Sequence, residues 1–159
     1  MKPAIQESLP PCCTLKNALA VMACAVALAA CSSTEPTASV SLGGRVFSLE
    51  VAADQAAHLH GLMGRRSIPR NGGMIFMYRE PQRLAFWMKD TLIPLDIIYL
   101  DQHMQVTNIH ADVPPCSTPR CPTYSSAGGA QYVIELTAGT AARVGLKPGD
   151  IVRSVHGAS

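Results

Sequence analysis

From about residue 40 the chain breaks into short apolar runs whose polar and apolar positions alternate, the pattern of strands with one covered face. Val40–Leu42 and Arg45–Val51 flank Gly43-Gly44, a two-residue hairpin signal, and Phe47, Leu49 and Val51 fall on one face. Asp54 is placed to cap a short helix, in which Ala56, Leu59, His60 and Met63 form a stripe at i, i+3, i+4 and i+7. Gly64 is placed to end it.

The loop RRSIPRNGG leads into a strand over Met74–Tyr78, and Arg79–Gln82 turns the chain into a second strand, Arg83–Met88. After a connection over Lys89–Pro94, Leu95–Leu100 and Gln105–Ile109 read as a hairpin around Asp101–His103, followed by a Pro/Cys loop from Val113 to Ser126. Gln131–Leu136 is the next strand, Thr137 is placed to cap a helix ending near Gly145, and Ile151–Val155 is the last strand. With no internal repeat, about eight short strands and one or two short helices predict a mainly β (α+β) fold, a compact antiparallel β-barrel or sandwich.

The N-terminal third reads differently. Leu15–Cys31 is nearly unbroken Ala, Val, Leu and Met, and its apolar stretch Ala18–Ala30 is shorter than the roughly 20 residues that span a bilayer. Residues 1–30 therefore read as a signal peptide. Leu28-Ala29-Ala30-Cys31 resembles the lipobox of bacterial lipoproteins, which implies acylation of Cys31 as the mature N-terminus. More than one acyl chain is what stable anchoring requires. Ser32 after the cysteine resembles the outer-membrane sorting pattern, so the expected location is the periplasmic face of the outer membrane. Residues 1–14, with Glu7, three prolines and two cysteines, do not suit a signal n-region, and we expect them to be a non-native extension ahead of a start at Leu15. Residues 31–39 are polar and small enough to be a flexible tether, and residues 40–159 a single domain.

The chain has 159 residues, 48% hydrophobic and 15% charged, with a formal charge of +2 and no Lys/Arg run longer than Arg65-Arg66. That gives no electrostatic footprint for nucleic acid. HGLMGR, GGMIFMY, FWMKDTLIPLDIIYL, the PPC…CPTY loop and IELTAGTAARVGLKPGD together resemble the uncharacterised family called domain of unknown function 192, over about Val46 to Val155. The resemblance implies a small β-rich fold and frequent export. It implies no reaction, substrate or cofactor.

The candidate chemistry is sparse. Asp96 shares a strand face with Ile98 and Leu100, so burial would oblige it to find a cation or backbone donors. Arg65 is the favoured structural cation, ahead of Lys89. The functional alternative makes Asp96 a general acid or base with His60, in a hydrolase-like enzyme. No nucleophile elbow, phosphate loop or H-E-x-x-H motif accompanies it. Cys116 and Cys121, in an exported protein, suit a disulfide worth roughly 2 kcal/mol of loop closure. Met63, Met74, Met77, Met88 and Met104, with His58, His60, His103 and His110, offer soft Cu(I) ligands, the alternative of a periplasmic copper-binding accessory protein. Against it, His58 and His60 lie two apart on the helix, and Met74 and Met77 point to opposite faces of a strand. Arg65, Arg66, Arg70, Arg79 and Arg83 would offer forked donors to an anion if their loop and turn met. Trp87, the lone tryptophan, marks a core plug or the floor of a ligand groove. The leading expectation is a lipoprotein tethered through Cys31, whose domain binds a small ligand or an envelope protein, without a cofactor or a resident metal. His60, Arg65, Trp87, Lys89 and Asp96 are its candidate pocket or ion pair.

Overall fold

The computed structural model describes residues 36–155. The signal peptide, the extension over residues 1–14, the lipidation site Cys31 and the tether as far as residue 35 lie outside the described residues.

Nine strands and two short helices follow in the order β1 (Thr37–Leu42), β2 (Arg45–Ala52), α1 (Gln55–His60), β3 (Gly72–Gln82), β4 (Ala85–Trp87), β5 (Leu95–Leu100), β6 (Val106–Val113), β7 (Thr123–Ser125), β8 (Ala130–Thr137), α2 (Thr140–Arg143) and β9 (Arg153–Ser154). Seven strands form one sheet in the order β6-β5-β8-β3-β2-β1-β9, and β4 pairs with β7 in a separate antiparallel ribbon. The large sheet curls so that its two ends meet. Gln105 bridges Ile151, Val106 N–H donates to Asp150 O at 2.8 Å, and Val152 N–H donates to Met104 O at 2.9 Å. A mainly β half-barrel with two short helices is thus the observed fold, in agreement with the pattern of the sequence.

One pairing departs from the antiparallel expectation. β2 and β3 run parallel, with Leu49 opposite Gly73 and Val51 opposite Ile75. Parallel neighbours need a crossover, and residues 53–71, including α1, supply it across one face of the sheet. That crossover and the β4–β7 ribbon cover the outer face, where Ala52, Leu62, Phe76, Met88, Ile97, Tyr99 and Val133 form one core. Inside the curl Phe47, Leu49, Ile75, Ile98, Leu100, Ile134 and Leu136 form another, closed by Ala141 and Leu146 around α2. Every residue of β5 is buried as a result.

Several boundaries shift for identifiable reasons. β1 begins at Thr37, not Val40, because Pro36 O accepts from Val51 N–H and pairing reaches into the polar stretch read as tether. The Gly43-Gly44 hairpin forms as expected, both glycines at positive φ. β3 runs on through the expected Arg79–Gln82 turn to Gln82, where Ala130 pairs with it, and part of the Pro/Cys loop pairs as β7. Asp54 caps α1, accepting from Ala57 N–H at 2.8 Å. From α1 it is nevertheless Ala57 that packs inward, with Leu62 just after the helix; Leu59, expected in the apolar stripe, is 65% exposed. Thr137 ends β8 instead of capping α2, whose N-cap is Gly139 in the left-handed conformation without a side-chain bond.

Gly73 shows how tightly the sheet packs beside the parallel pair. A Cβ there would stand 2.3 Å from Glu135 O and 2.7 Å from a Leu136 methyl, so backbone would have to move. Gly73→Ala is expected to cost about 3 kcal/mol in urea unfolding, as overpacking of a fixed site does; a loss within about 0.5 kcal/mol would show that the strands can part there.

Candidate functional site

Two carboxylates lie at the centre of the sheet, on opposite faces. Asp96 is fully buried (0% exposed) in β5 on the inner face, and three backbone N–H groups converge on it. Oδ1 accepts from Asp112 N–H at 2.9 Å and Gly139 N–H at 3.0 Å, while Oδ2 accepts from Ala141 N–H at 2.8 Å. The side chain thereby ties β5 to the kinked end of β6, where Asp112 has positive φ, and to the first turn of α2. Those amides are donors that the strand and helix ends leave without a partner of their own. Neither cation proposed for Asp96 reaches it. Arg65 makes a forked pair with both oxygens of Glu50, and Lys89 reaches Asp90 at 2.8 Å. Asp96 is a structural staple, and the ion-pair expectation is corrected: backbone donors already supply what a buried carboxylate needs.

Glu135, in β8, faces the outer side and is 5% exposed. Desolvation is the one influence on its carboxyl, no hydrogen bond or ion pair from the described residues reaching it, and its oxygens open onto a cavity of about 30 Å³. Burial alone pushes its pKa up from the ordinary carboxylate range to about 8. The cavity is lined by Phe76, Phe86, Trp87, Thr91, His58 and His60, with Gly61 and Met63 completing the wall. Gly61, with φ of 48°, ends α1 and brings the backbone close, so that a Cβ there would stand 3.3 Å from the Phe76 ring and 4.0 Å from a Glu135 oxygen. Thr91, only 6% exposed, is the second buried polar side chain lining the cavity.

Aromatic rings continue outward from this point. Phe76 meets Phe86 edge-on at 4.8 Å, Phe86 meets Tyr99 at 6.0 Å, and His58 lies against Tyr78 at 4.4 Å. His58 Nε2 donates to Ala52 O at 3.0 Å, which fixes its ring. Burial raises the Tyr78 and Tyr99 hydroxyl pKa values, with the Glu135 charge adding to the effect. Trp87 stands at the mouth, 50% exposed, so it is a groove wall and not a core plug.

The expected site residues therefore separate. His60 and Trp87 meet at the Glu135 cavity, whereas Asp96 is on the other face of the sheet, which removes the Asp96–His60 pair as a catalytic unit. Arg65 lines an adjoining cleft with Glu50 and His60. His58, His60 and Met63 border one cavity, but no cluster of three His, Cys, Asp or Glu side chains that could hold a metal forms among the described residues. Cys116 and Cys121 are joined in a disulfide, and Cys116 bridges to Lys89 beside β4. Sequence reasoning missed Glu135. Its signal was a charged residue inside IELTAG, on the face of β8 that alternation assigns to water.

A model of the family DUF192, described as an uncharacterised ACR, matches residues 38–154. Two crystal structures are similar. A protein from Sinorhizobium meliloti 1021, provisionally described as a transcription regulator, is 31% identical with a TM-score of 0.69, over 76% of this chain and 95% of that one. A protein of unknown function from Novosphingobium aromaticivorans DSM 12444 is 36% identical with a TM-score of 0.70, over 77% and 88%. Comparison with curated proteins finds no match.

The two carboxylates predict opposite mutant behaviour. Asp96→Ala leaves three buried donors without an acceptor and is expected to cost about 3–5 kcal/mol in urea unfolding. Arg65→Ala, which breaks a half-exposed pair, is expected to cost about 0–1 kcal/mol; equal losses would restore the ion-pair reading of Asp96. The folded state holds the Glu135 proton up to about pH 8, while the unfolded chain releases it near its ordinary value of 4.5. Folded protein thus binds the extra proton in that window, so this contribution is complete below the window and is lost as pH rises through 8. Its slope is at most about 1.4 kcal/mol per pH unit. Glu135→Gln should flatten the fall in urea stability across the window, and parallel wild-type and variant curves would show that Glu135 titrates as an ordinary carboxyl.

Proposed function

We propose a function from one plain premise, that this chain belongs to the uncharacterised DUF192 family: it is a lipid-anchored envelope protein whose β-rich domain binds a small ligand in the Glu135–Trp87 cavity. The observation that carries the binding reading is the pair of buried polar side chains, Glu135 and Thr91, at the base of an aromatic cavity with an exposed tryptophan at its mouth. Buried polar groups ordinarily find partners inside the fold, and a carboxyl left without one faces a place where a partner is to arrive. An apolar pocket with few convergent polar groups is also the usual form of a small-molecule site.

The anchor reading rests on the sequence alone. The short apolar leader and Leu28-Ala29-Ala30-Cys31 support processing to a lipidated Cys31, with the periplasmic face of the outer membrane as the favoured location. The role written for the Sinorhizobium protein is not carried over, since the sequence offers no basic run for nucleic acid.

The two halves are tested separately. Cys31→Ser is expected to move the chain from the membrane fraction to the soluble periplasmic fraction; a chain that stays in the membrane fraction contradicts lipid anchoring. Trp87 is the single tryptophan, so its emission reports on the cavity alone. Titrating the full chain in detergent with small cationic, anionic and neutral fragments is expected to give a saturable change for at least one class, weakened several-fold by Thr91→Val. No saturable change from any class would contradict ligand binding there.

A further inference from the structure

We propose that the Glu135 cavity is a receptor for a primary ammonium group on an apolar stem, the carboxylate taking the charge and the aromatic rings of Phe76, Phe86 and Trp87 enclosing it. The assignment rests on the cavity being a binding site, and goes further by naming the chemistry of what enters. Four features of the geometry select it. Glu135 is 95% buried, takes no hydrogen bond from the described residues and opens onto the cavity, so an acceptor without a cation lines its wall. The two basic side chains closest in sequence to its lining residues are already spent, Arg65 on Glu50 and Lys89 on Asp90. Three aromatic side chains form the walls, and a ring face attracts an ammonium group. The end of α1, at His60 and Gly61, adds the carbonyl end of a helix, which also favours positive charge.

Size narrows the choice. The cavity is small, about 30 Å³ for the centre of a water-sized sphere, which suits a compact head group, and a nitrogen carrying three methyl groups has no N–H to donate to Glu135. The stem would then pass Trp87 and Leu59, the exposed apolar residues at the rim. An anion would meet the Glu135 charge, and a neutral alcohol would leave that charge uncompensated.

Binding an ammonium displaces the proton of Glu135, so affinity should rise with pH until the free carboxyl is ionised. The other titratable groups facing it are His58 and His60 from α1, Tyr78 from β3 and Tyr99 from β5. Arg65 and Glu50 pair beside α1, and Lys89 and Asp90 pair after β4.

The test uses the isotope-labelled full chain in detergent, followed by Trp87 emission and by amide NMR shifts. The probes are n-butylammonium, 1-butanol, butyrate and butyltrimethylammonium. At about pH 8, n-butylammonium is expected to bind at least about tenfold more tightly than each of the others. Its affinity is expected to rise by up to about tenfold per pH unit from neutral pH and level off once Glu135 is ionised. Glu135→Gln should abolish the preference over 1-butanol while the variant stays folded by its amide spectrum. Equal binding of 1-butanol, equal binding of the trimethyl compound, or an unchanged preference in Glu135→Gln overturns the ammonium assignment and leaves the cavity as a site for another ligand. Failure of every probe and fragment to saturate removes the binding reading as well. N-acetyl-lysinamide and phosphoethanolamine, run beside these, assign the source of the head group: preference for the first points to a protein side chain, for the second to a lipid head group, and failure of both overturns the proposal.

Discussion

The central strands β5 and β8 are covered on both faces, and that double covering governs every polar group they carry. Water solvates a charge there poorly, so the fold supplies a partner or leaves an opening beside it. Asp96 receives three amides from β6 and α2, which makes it a joint between elements distant in sequence. Glu135, on the neighbouring strand and the other face, receives none from the described residues and opens onto the cavity. The same constraint acting on two carboxylates yields a staple in one case and an open cavity in the other.

The covering of the outer face follows from one topological choice. Because β2 and β3 are parallel, the chain must cross the sheet between them, and α1 with its following loop lies over Phe76 and Glu135. The β4–β7 ribbon, braced by the Cys116–Cys121 loop through the Lys89 bridge, supplies the opposite wall with Phe86 and Trp87. Tyr99 ties that ribbon to the sheet, donating from Oη to Tyr124 O at 2.6 Å. The cavity is where crossover and ribbon meet without quite closing.

Local signals in the sequence carried the elements that are fixed locally. Gly43-Gly44 specifies its hairpin, Asp54 its cap, and the mostly apolar run Leu95–Leu100 a strand. The burial of Asp96 was legible for the same reason, since its strand neighbours are apolar. Its partners were not, because Asp112, Gly139 and Ala141 lie 16, 43 and 45 residues away and contribute backbone, which leaves no side-chain signature. The stripe of α1 was misread because six residues fit more than one face, and packing of the crossover decided among them. Glu135 was hidden by alternation itself: on an open antiparallel sheet its face would be wet, and only the parallel crossover makes it dry. His60 and Trp87 were recognised as candidates from residue type, and the partner that gives them a common site belongs to a strand read as ordinary.

The central claim is that no group among the described residues compensates the Glu135 charge. Carbon-detected NMR titration of the Glu135 side-chain carboxyl in the ligand-free full chain tests it most directly. The account predicts a midpoint near 8, well above the ordinary carboxylate range. A midpoint in the ordinary carboxylate range would mean that a partner inside the fold already neutralises Glu135, and would contradict it.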